Sequence, residues 1–425
     1  MSKKNFIEIL KKEIKRIDDS GTAKRHEIVI EGFSDDPCPR AIIKGKEYLL
    51  FNSNDYLGLR FNPKVIKAGE DASKKYGAGP GAVRFISGTM KIHTELEKTL
   101  AEFHGKEAAM VFSSTFALNM GVIHALVKGQ SKDSLVGGNT LVVSDSLNHR
   151  SIIDAIRIAN LLSEQKVVFE HLNMKNLHDV MEENKEKFSR VIIVSDGVFS
   201  MLGEYQDLEH MKKSADEYDR HFEEGVITII DDAHGVGAFG RNGRGTEEVC
   251  GAKADLLIGT LGKGFGADGG YIAGDKTIID YLRESAATYV YSSPISPGTA
   301  AAALEAVRIV DSSEGKQLLK KLSDNIEYFK ERISGIGLTF AAHSIHPIQP
   351  LLIGDTLKTK KIVDEFFKRG IIVTNISYPV VPKGKDEIRV QLSAVHTKKE
   401  IDEFVRALAE VGKEIGLIQL IKNRK

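Results

Sequence analysis

Short runs of valine, isoleucine and leucine alternate with longer segments of helical apolar spacing through the middle of the chain. The segments at 94–105 and 116–129 repeat apolar residues every three or four positions, so we predict helices there. The short apolar runs are predicted to be strands, at 107–112, 140–145, 166–170, 190–196 and 226–232. Continuous apolar strands between helices indicate a mainly parallel sheet covered by helices on both faces, and therefore an α/β fold.

The two ends of the chain follow other patterns. Near the N-terminus, residues 41–51 are predicted to form two short strands around a Lys44-Gly45 turn. Beyond about residue 297, two long helical segments precede short strands and a last helix at 397–415. We therefore predict a first region with a helix and short strands, a large α/β domain and a small C-terminal α+β domain, at 1–60, 61–297 and 298–425.

Composition excludes several classes of protein. Lys plus Arg equals Asp plus Glu at 59 each, which argues against broad electrostatic binding to nucleic acid. Two cysteines without a CxxC pair, Cys38 and Cys250, favour a reducing compartment such as the cytoplasm. No apolar run approaches about 18 residues, so no transmembrane helix is expected. The basic N-terminal helix also carries Glu8 and Glu13, which predicts a surface helix because transit peptides are poor in acids.

Two segments match the GxGxxG pattern of dinucleotide sites, at 235–240 and 264–269. Such a site also needs a helix that starts directly at the loop and an acid at the end of the next strand. The first segment continues into a polar stretch without helical spacing, and the second continues into a strand. We therefore expect neither segment to bind a dinucleotide.

Lys263 lies between Gly262 and Gly264, just after a buried apolar run. The glycines permit a tight turn and leave room for a bulky ring beside the amine. Burial would lower the pKa of the amine and favour the neutral nucleophile that imine formation requires. Taken alone, however, this residue is more typical of an ordinary surface-loop lysine.

The preceding predicted strand ends with Asp231 and Asp232, and His234 follows. A carboxylate on a neighbouring strand suits a pyridine nitrogen, because it keeps that nitrogen protonated and the ring able to accept electrons. A turn, a helix cap or a metal site is the alternative, although no third and fourth metal ligands stand out. The order of these residues along successive strands favours the cofactor interpretation.

Two further positions fit the same cofactor. Residues 113–115 lie between a strand and a helix, where backbone N–H groups can bind a phosphate. A plain N-cap is compatible with the same residues. His149 follows another strand, where an imidazole could stack on a ring or serve as a helix cap.

These motifs resemble the α-oxoamine synthase family of fold-type-I pyridoxal-phosphate enzymes. The resemblance extends from SNDYLGL (53–59) to LSAVHT (392–397), and it includes SGTMKIHTELE (87–97), SDSLNHRSIID (144–154), SDGVFSMLG (195–203), DDAHGVGAFGRNGRG (231–245) and GTLGKGFG (259–266). It implies a large domain with a mainly parallel sheet, a smaller C-terminal domain and pyridoxal 5′-phosphate (PLP) as cofactor. It also implies an amino acid and an acyl-CoA as substrates, and a homodimer with active sites at the subunit interface.

The resemblance assigns roles around the cofactor ring. Lys263 matches the Schiff-base lysine and Asp231 the partner of the pyridine nitrogen. His149 matches the stacking imidazole, and His234 the histidine that binds the phenolic oxygen. Ser200 matches a serine on the phenolic side of the ring.

The resemblance also assigns the phosphate and the substrate carboxylate. The phosphate would be held by the segment Ser114, Thr115 and Phe116, by the Thr260 hydroxyl, and by Ser292 and Ser293 from the partner subunit. Asn54 and Arg389 match the pair that binds the amino-acid carboxylate, for which a bidentate guanidinium is well suited.

Segment 378–397 is most similar to the glycine C-acetyltransferases, so we expect glycine and acetyl-CoA to give 2-amino-3-oxobutanoate and CoA. Two segments depart from that pattern: 113–119 lacks the usual Cys and Asp, and 128–140 is longer. The alternatives are an 8-amino-7-oxononanoate synthase, which uses L-alanine and pimeloyl-CoA, and a serine palmitoyltransferase-like enzyme. A plain aminotransferase and a non-catalytic regulatory subunit are further alternatives, and the presence of Lys263 argues against the latter.

Overall fold

Strands and helices alternate along the computed structural model, which describes residues 3–20, 23–377 and 381–418. The strands are β1 (Gly32–Phe33), β2 (Ala41–Ile43), β3 (Lys46–Leu50), β4 (Ala108–Phe112), β5 (Thr140–Asp145), β6 (Lys166–Phe169), β7 (Arg190–Asp196), β8 (Val226–Asp231), β9 (Leu256–Thr260), β10 (Gly270–Gly274), β11 (Ile348–Leu352), β12 (Ile371–Ile372), β13 (Thr374–Ile376) and β14 (Glu387–Gln391).

The helices are α1 (Lys3–Asp19), α2 (Pro63–Tyr76), α3 (Lys91–His104), α4 (Thr115–Lys128), α5 (Arg150–Ile158), α6 (Met174–Asn184), α7 (Leu208–Tyr218), α8 (Thr246–Cys250), α9 (Lys276–Ser285), α10 (Ala287–Val290), α11 (Pro297–Val310), α12 (Ser313–Gly335), α13 (Thr356–Lys368) and α14 (Lys398–Glu414). Short 3₁₀ turns and one π-helical turn, Arg84–Gly88, connect them.

The central sheet has seven strands in the order β4-β10-β9-β8-β7-β5-β6. Five of them, β5 to β9, are parallel to one another, as the sequence predicts. Strand β10 is antiparallel to both β9 and β4. An antiparallel pair can be joined by a short loop, whereas parallel strands require a crossover. The short loop between β9 and β10 carries Lys263.

The inner strands of this sheet are buried on both faces, which explains their continuous apolar sequences, whereas the edge strand β6 is largely exposed. All six residues of β5 are buried. Leu141 and Val143 belong to one apolar core, while Val142 between them belongs to a second core on the opposite face. The helices therefore cover both faces of the sheet, and the α/β fold that the sequence predicts is confirmed.

Two smaller sheets join distant parts of the chain. One has the order β1-β2-β3-β12, and the other has the order β11-β14-β13. The β2–β3 turn is the one that the sequence predicts, because Lys44 and Gly45 both adopt positive φ, of 50° and 69°. The pairing of β3 with β12 places the first region against the C-terminal part. The division of the chain into regions 1–60, 61–297 and 298–425 stays a prediction.

Helix α1 lies on the surface and contributes no buried residue. Its charged side chains pair along the helix, for example Lys11 with Glu8 at 2.8 Å. No helix in the described ranges is long and apolar enough to cross a membrane. Cys38 and Cys250 are both free thiols.

Replacement of Phe404 by alanine should destabilise the protein. The Phe404 ring is fully buried, and it lies 4.6 Å from the ring of Phe51 and 5.1 Å from that of Phe366. We expect Phe404→Ala to reduce the free energy of unfolding by about 3–5 kcal/mol, the usual cost of a cavity of this size. Leu357→Ala is the control, since Leu357 is 80% exposed. Equal denaturation midpoints for the two variants would contradict this packing.

Candidate functional site

A cavity of about 250 Å³ lies at the carboxyl edge of the central sheet, where α/β folds bind their ligands. It unites most of the residues that the sequence predicts to hold a cofactor. These are Ser114, Thr115, Phe116, His149, Ser200, Asp231, His234, Thr260 and Lys263. The predicted ordering of these residues along successive strands thus corresponds to one site in space.

Lys263 is half-buried in the loop between β9 and β10. Burial lowers the pKa of its amine to about 8, although the nearby carboxylates of Asp231 and Asp196 oppose this shift. About a tenth of the amine is therefore neutral at pH 7, far more than for an ordinary lysine, and a neutral amine can act as a nucleophile or a base.

The two GxGxxG segments pack against each other. A Cβ atom on Gly264 would lie 2.8 Å from the carbonyl carbon of Gly237, and one on Gly237 would lie 3.1 Å from that of Gly264. Gly237 also requires a positive φ of 80°. These two glycines therefore permit close contact between two backbones. A Cβ atom on Gly262 would make only ordinary contacts, none closer than 3.8 Å, and the room that the glycines leave for a ring beside the amine stays a prediction.

Asp231 is buried at the end of β8 and is fixed by two hydrogen bonds. Its Oδ2 accepts from Asn119 Nδ2 at 2.6 Å, and its Oδ1 accepts from the backbone N–H of Ala233 at 3.1 Å. Asn119 also donates to Ser151 Oγ at 2.8 Å, and that hydroxyl lies 2.7 Å from His149 Nδ1. A chain of polar contacts thus links Asp231 to His149.

Asp232, the neighbouring acid, has a different role. Its Oδ2 accepts from the Thr246 N–H at 2.6 Å and its Oδ1 from the Thr246 hydroxyl at 2.8 Å, so it fixes the loop before α8. Burial raises its pKa to about 7. Within residues 3–20, 23–377 and 381–418, no three His, Cys, Asp or Glu side chains are grouped as around a metal ion.

Asp196 is a second buried carboxyl group in the cavity, and sequence analysis did not select it. It ends β7 directly beside Asp231 in the parallel register. Its Oδ2 accepts from the His149 backbone N–H at 3.1 Å. Burial raises the pKa of Asp196 well above its usual value, and the charge of Asp231 adds to the shift. The signal was available, because Asp196 follows its strand just as Asp231 follows β8.

His234 is held on two sides by residues that sequence analysis also missed. Its Nδ1 lies 2.7 Å from the Tyr56 hydroxyl, and its carbonyl lies 2.9 Å from His346 Nε2. Burial lowers the pKa of His234 well below its usual value, and the charges of Lys263 and Arg389 add to the effect. The ring is therefore neutral at physiological pH. Tyr56 lies within the SNDYLGL motif but was given no role, and no local sequence signal marks His346, which reaches the site through a tertiary contact.

Helix α4 points its N-terminus into the cavity. Ser114 is the N-cap, and its hydroxyl accepts from the Ala117 N–H at 3.2 Å. The N–H groups of Thr115 and Phe116 precede the first intrahelical hydrogen bond, so they are available to an anion. Thr260 supplies a hydroxyl at the same wall. The N-cap and the anion-site interpretations of this segment hold together.

Asn54 and Arg389 flank the cavity behind its lining residues. Arg389 Nε donates to the Ser200 carbonyl at 2.5 Å. Asn54 Oδ1 accepts from Gln391 Nε2 at 2.5 Å and lies 3.4 Å from the Tyr56 hydroxyl. The buried guanidinium of Arg389 thus lies close to both Ser200 and Tyr56.

Comparisons with known proteins identify the family of this chain. The family model described as "Aminotransferase class I and II" matches residues 46–408. The chain belongs to that family. The 8-amino-7-oxononanoate synthases of Treponema denticola and Petrotoga mobilis are 38% and 39% identical to it over 421 and 422 residues, which span 98% and 97% of this chain and 100% of each relative. A solved structure of serine palmitoyltransferase (SPT) with PLP has a TM-score of 0.86 to this chain at 26% identity. The match covers 98% of this chain and 100% of that one.

Within this aminotransferase family, the chain is an α-oxoamine synthase of fold type I, and its cofactor is PLP. The cavity residues fit that cofactor. An amine, a carboxyl pair and a helix N-terminus suit an aldehyde, a pyridine nitrogen and a phosphate in turn. Asp196, which lines the cavity, has one buried oxygen, Oδ1, without a hydrogen-bond partner among the described residues, as expected of a site built around a polar group.

Ser292 and Ser293 do not line this cavity within the chain. They follow α10, and Ser293 is exposed. The resemblance assigned them to the site of a partner subunit, so their role stays a prediction. Of the segment that suggested glycine C-acetyltransferase, residues 378–380 lie outside the described residues.

The two glycines beside Lys263 should respond differently to alanine. Gly264→Ala would force a Cβ to 2.8 Å from both Val236 O and the Gly237 carbonyl carbon, so we expect a loss of about 1–3 kcal/mol in the free energy of unfolding. Gly262→Ala is the matched control, since its new Cβ would have no neighbour closer than 3.8 Å. Chemical denaturation of both variants tests the difference, and equal stability would show that the loops are not in close contact.

Proposed function

We propose that this α-oxoamine synthase condenses L-alanine with pimeloyl-CoA to give 8-amino-7-oxononanoate, CoA and CO₂. The observation that carries the proposal is the identity of 38% and 39% to two 8-amino-7-oxononanoate synthases over nearly the whole chain. The relatives do not support the expected preference for glycine and acetyl-CoA, and the alternative from sequence analysis replaces it. The likeness to SPT supports a second candidate, an enzyme that uses serine and a long-chain acyl-CoA.

PLP, when bound, accepts electrons from the α-carbon of the amino acid. Lys263 would hold the cofactor through its amine and then take a proton from the α-carbon, for which a pKa of about 8 is suitable. Asp231 would keep a proton on the pyridine nitrogen, and the hydrogen bond from Asn119 would orient its carboxylate. His149 would stack on the ring, while His234 and Ser200 would orient its phenolic side.

The remaining residues would position the two ends of the reacting assembly. The N–H groups of Thr115 and Phe116 and the Thr260 hydroxyl would bind the phosphate, with Ser114 capping the helix. Asn54 and Arg389 would bind the carboxylate of the amino acid. We further propose a homodimer in which Ser292 and Ser293 complete the phosphate site of the partner.

A matrix of glycine, L-alanine and L-serine against acetyl-, pimeloyl- and palmitoyl-CoA tests the substrate assignment. We expect the largest release of free thiol, with an equal amount of CO₂, for L-alanine and pimeloyl-CoA. Thiol release that is largest for L-serine and palmitoyl-CoA would favour the second candidate. Formation of a keto acid without thiol release would instead indicate a plain aminotransferase and would overturn the acyl transfer.

Replacement of Lys263 by alanine should abolish covalent attachment of PLP. Borohydride reduction of the wild-type holoenzyme, followed by peptide mass spectrometry, should locate the cofactor on Lys263, and the variant should carry none. The rate of thiol release should fall by at least about 10³-fold, since the general base is lost with the attachment point. Lys175→Ala is the control, because the Lys175 side chain is 84% exposed and pairs with Asp179. Cofactor found on another lysine would refute the assignment.

A further inference from the structure

His171 lies between two loops that carry cavity residues. Its Nδ1 is 2.9 Å from Asp145 Oδ1, and its Nε2 is 3.3 Å from Glu204 Oε2. The Phe199 ring packs edge-on against the imidazole, with 4.4 Å between the ring centroids. Only 19% of the His171 side chain is exposed. Both ring nitrogens therefore face carboxylates, and the ring has little freedom to move.

The contact with Asp145 connects His171 to the loop that carries His149. Asp145 ends β5, and its side chain is fully buried. In addition to His171, its carboxylate accepts from the backbone N–H of Leu147 at 2.8 Å and from that of Leu172 at 3.0 Å. Leu147 is two residues before His149, so the anchor for His171 is also an anchor for the His149 loop.

The contact with Glu204 connects His171 to the hairpin formed by residues 197–206. Val198 and Tyr205 pair across this hairpin, and Phe199 N donates to Glu204 O at 2.8 Å. The hairpin presents Ser200 to the cavity and offers the Ser200 carbonyl to Arg389. A displacement of Glu204 would therefore move the wall of the cavity that includes Ser200.

His171 carries a proton under physiological conditions. Burial opposes the charge, but the hydrogen bonds to Asp145 and Glu204 outweigh it and raise the pKa of His171 to about 9. A histidine whose folded-state pKa is raised stabilises the fold fully below its unfolded value of about 6.5. This stabilisation is lost as the pH rises through about 9.

We propose that His171 is a positioning residue whose imidazolium clamps the His149 loop to the 197–206 hairpin and so fixes two walls of the cavity. The clamp itself follows from the contacts of this chain. Its effect on substrate binding rests on the proposed function, because it is transmitted through Ser200 and Arg389. Loss of the proton or of the ring would release both loops together.

Hydrogen–deuterium exchange of the full chain without substrates tests the clamp directly. At pH 7, His171→Gln should accelerate exchange in residues 146–149 and 197–206 together, and leave β7 and β8 protected. In wild-type protein, exchange corrected for the intrinsic rate should rise in the same two segments as the pH passes about 9, whereas the variant should show no such step. His178→Gln is the control, since His178 of α6 contacts Tyr218 of α7. Acceleration of one loop alone, or of the whole chain, would overturn the proposal.

Glu204→Gln provides a second variant that preserves the shape of the hairpin. The pKa of His171, followed by NMR of the labelled imidazole, should fall by about one unit or more when this carboxylate is lost. An unchanged pKa would also overturn the clamp.

Kinetics separate the clamp from the proposed function. His171→Gln should raise KM for the amino acid on the order of tenfold, the effect of a lost charged hydrogen bond, with kcat changed less than about twofold. An unchanged KM would overturn the effect on substrate binding. If no substrate pair releases thiol, the proposed function fails while the exchange and NMR results still decide the clamp.

Discussion

Asp196 and Asp231 end neighbouring parallel strands in register, so two buried carboxyl groups lie side by side at the edge of the sheet. Ionisation of both neighbouring carboxyl groups would cost free energy, because the two negative charges repel each other. Neighbouring groups stabilise the pair: Lys263 contributes a positive charge, Asn119 donates a hydrogen bond to Asp231, and the His149 N–H donates one to Asp196. Burial and the charge of Asp231 raise the pKa of Asp196. The positions of Lys263, Asn119 and the His149 loop around the cavity are therefore those that stabilise this carboxyl pair.

The inner strands of the central sheet could be predicted from the sequence because both of their faces are buried. Strands β5 and β7 have the predicted bounds, and β8 ends one residue earlier. Helices α2, α9 and α13 were not predicted. Each of these helices buries only two or three side chains, so its apolar pattern is weak.

The same contrast holds in the site. Residues that follow a strand directly, such as Asp231 and Lys263, have a sequence signal because the carboxyl edge of a parallel sheet collects them. Asp196 carried that signal and was overlooked. Asn119, Tyr56 and His346 were not selected, since each reaches its partner from an element far away along the chain. The two glycine patterns match a dinucleotide site because both situations require close approach to a backbone without a side chain. In this chain a second backbone segment, rather than a pyrophosphate, approaches the glycines.

The pairing of β3 with β12 has a consequence for synthesis on the ribosome. Leu49 lies beside Ile371, and the segment after β3 supplies Tyr56 to His234. Most of the cavity residues precede residue 270, yet Tyr56 is fixed in place only when β12 and β14 have emerged. A nascent chain would therefore carry the sheet and its lysine for some time before the site is closed. Final assembly of the site would then be a late event, because it requires strands β12 and β14.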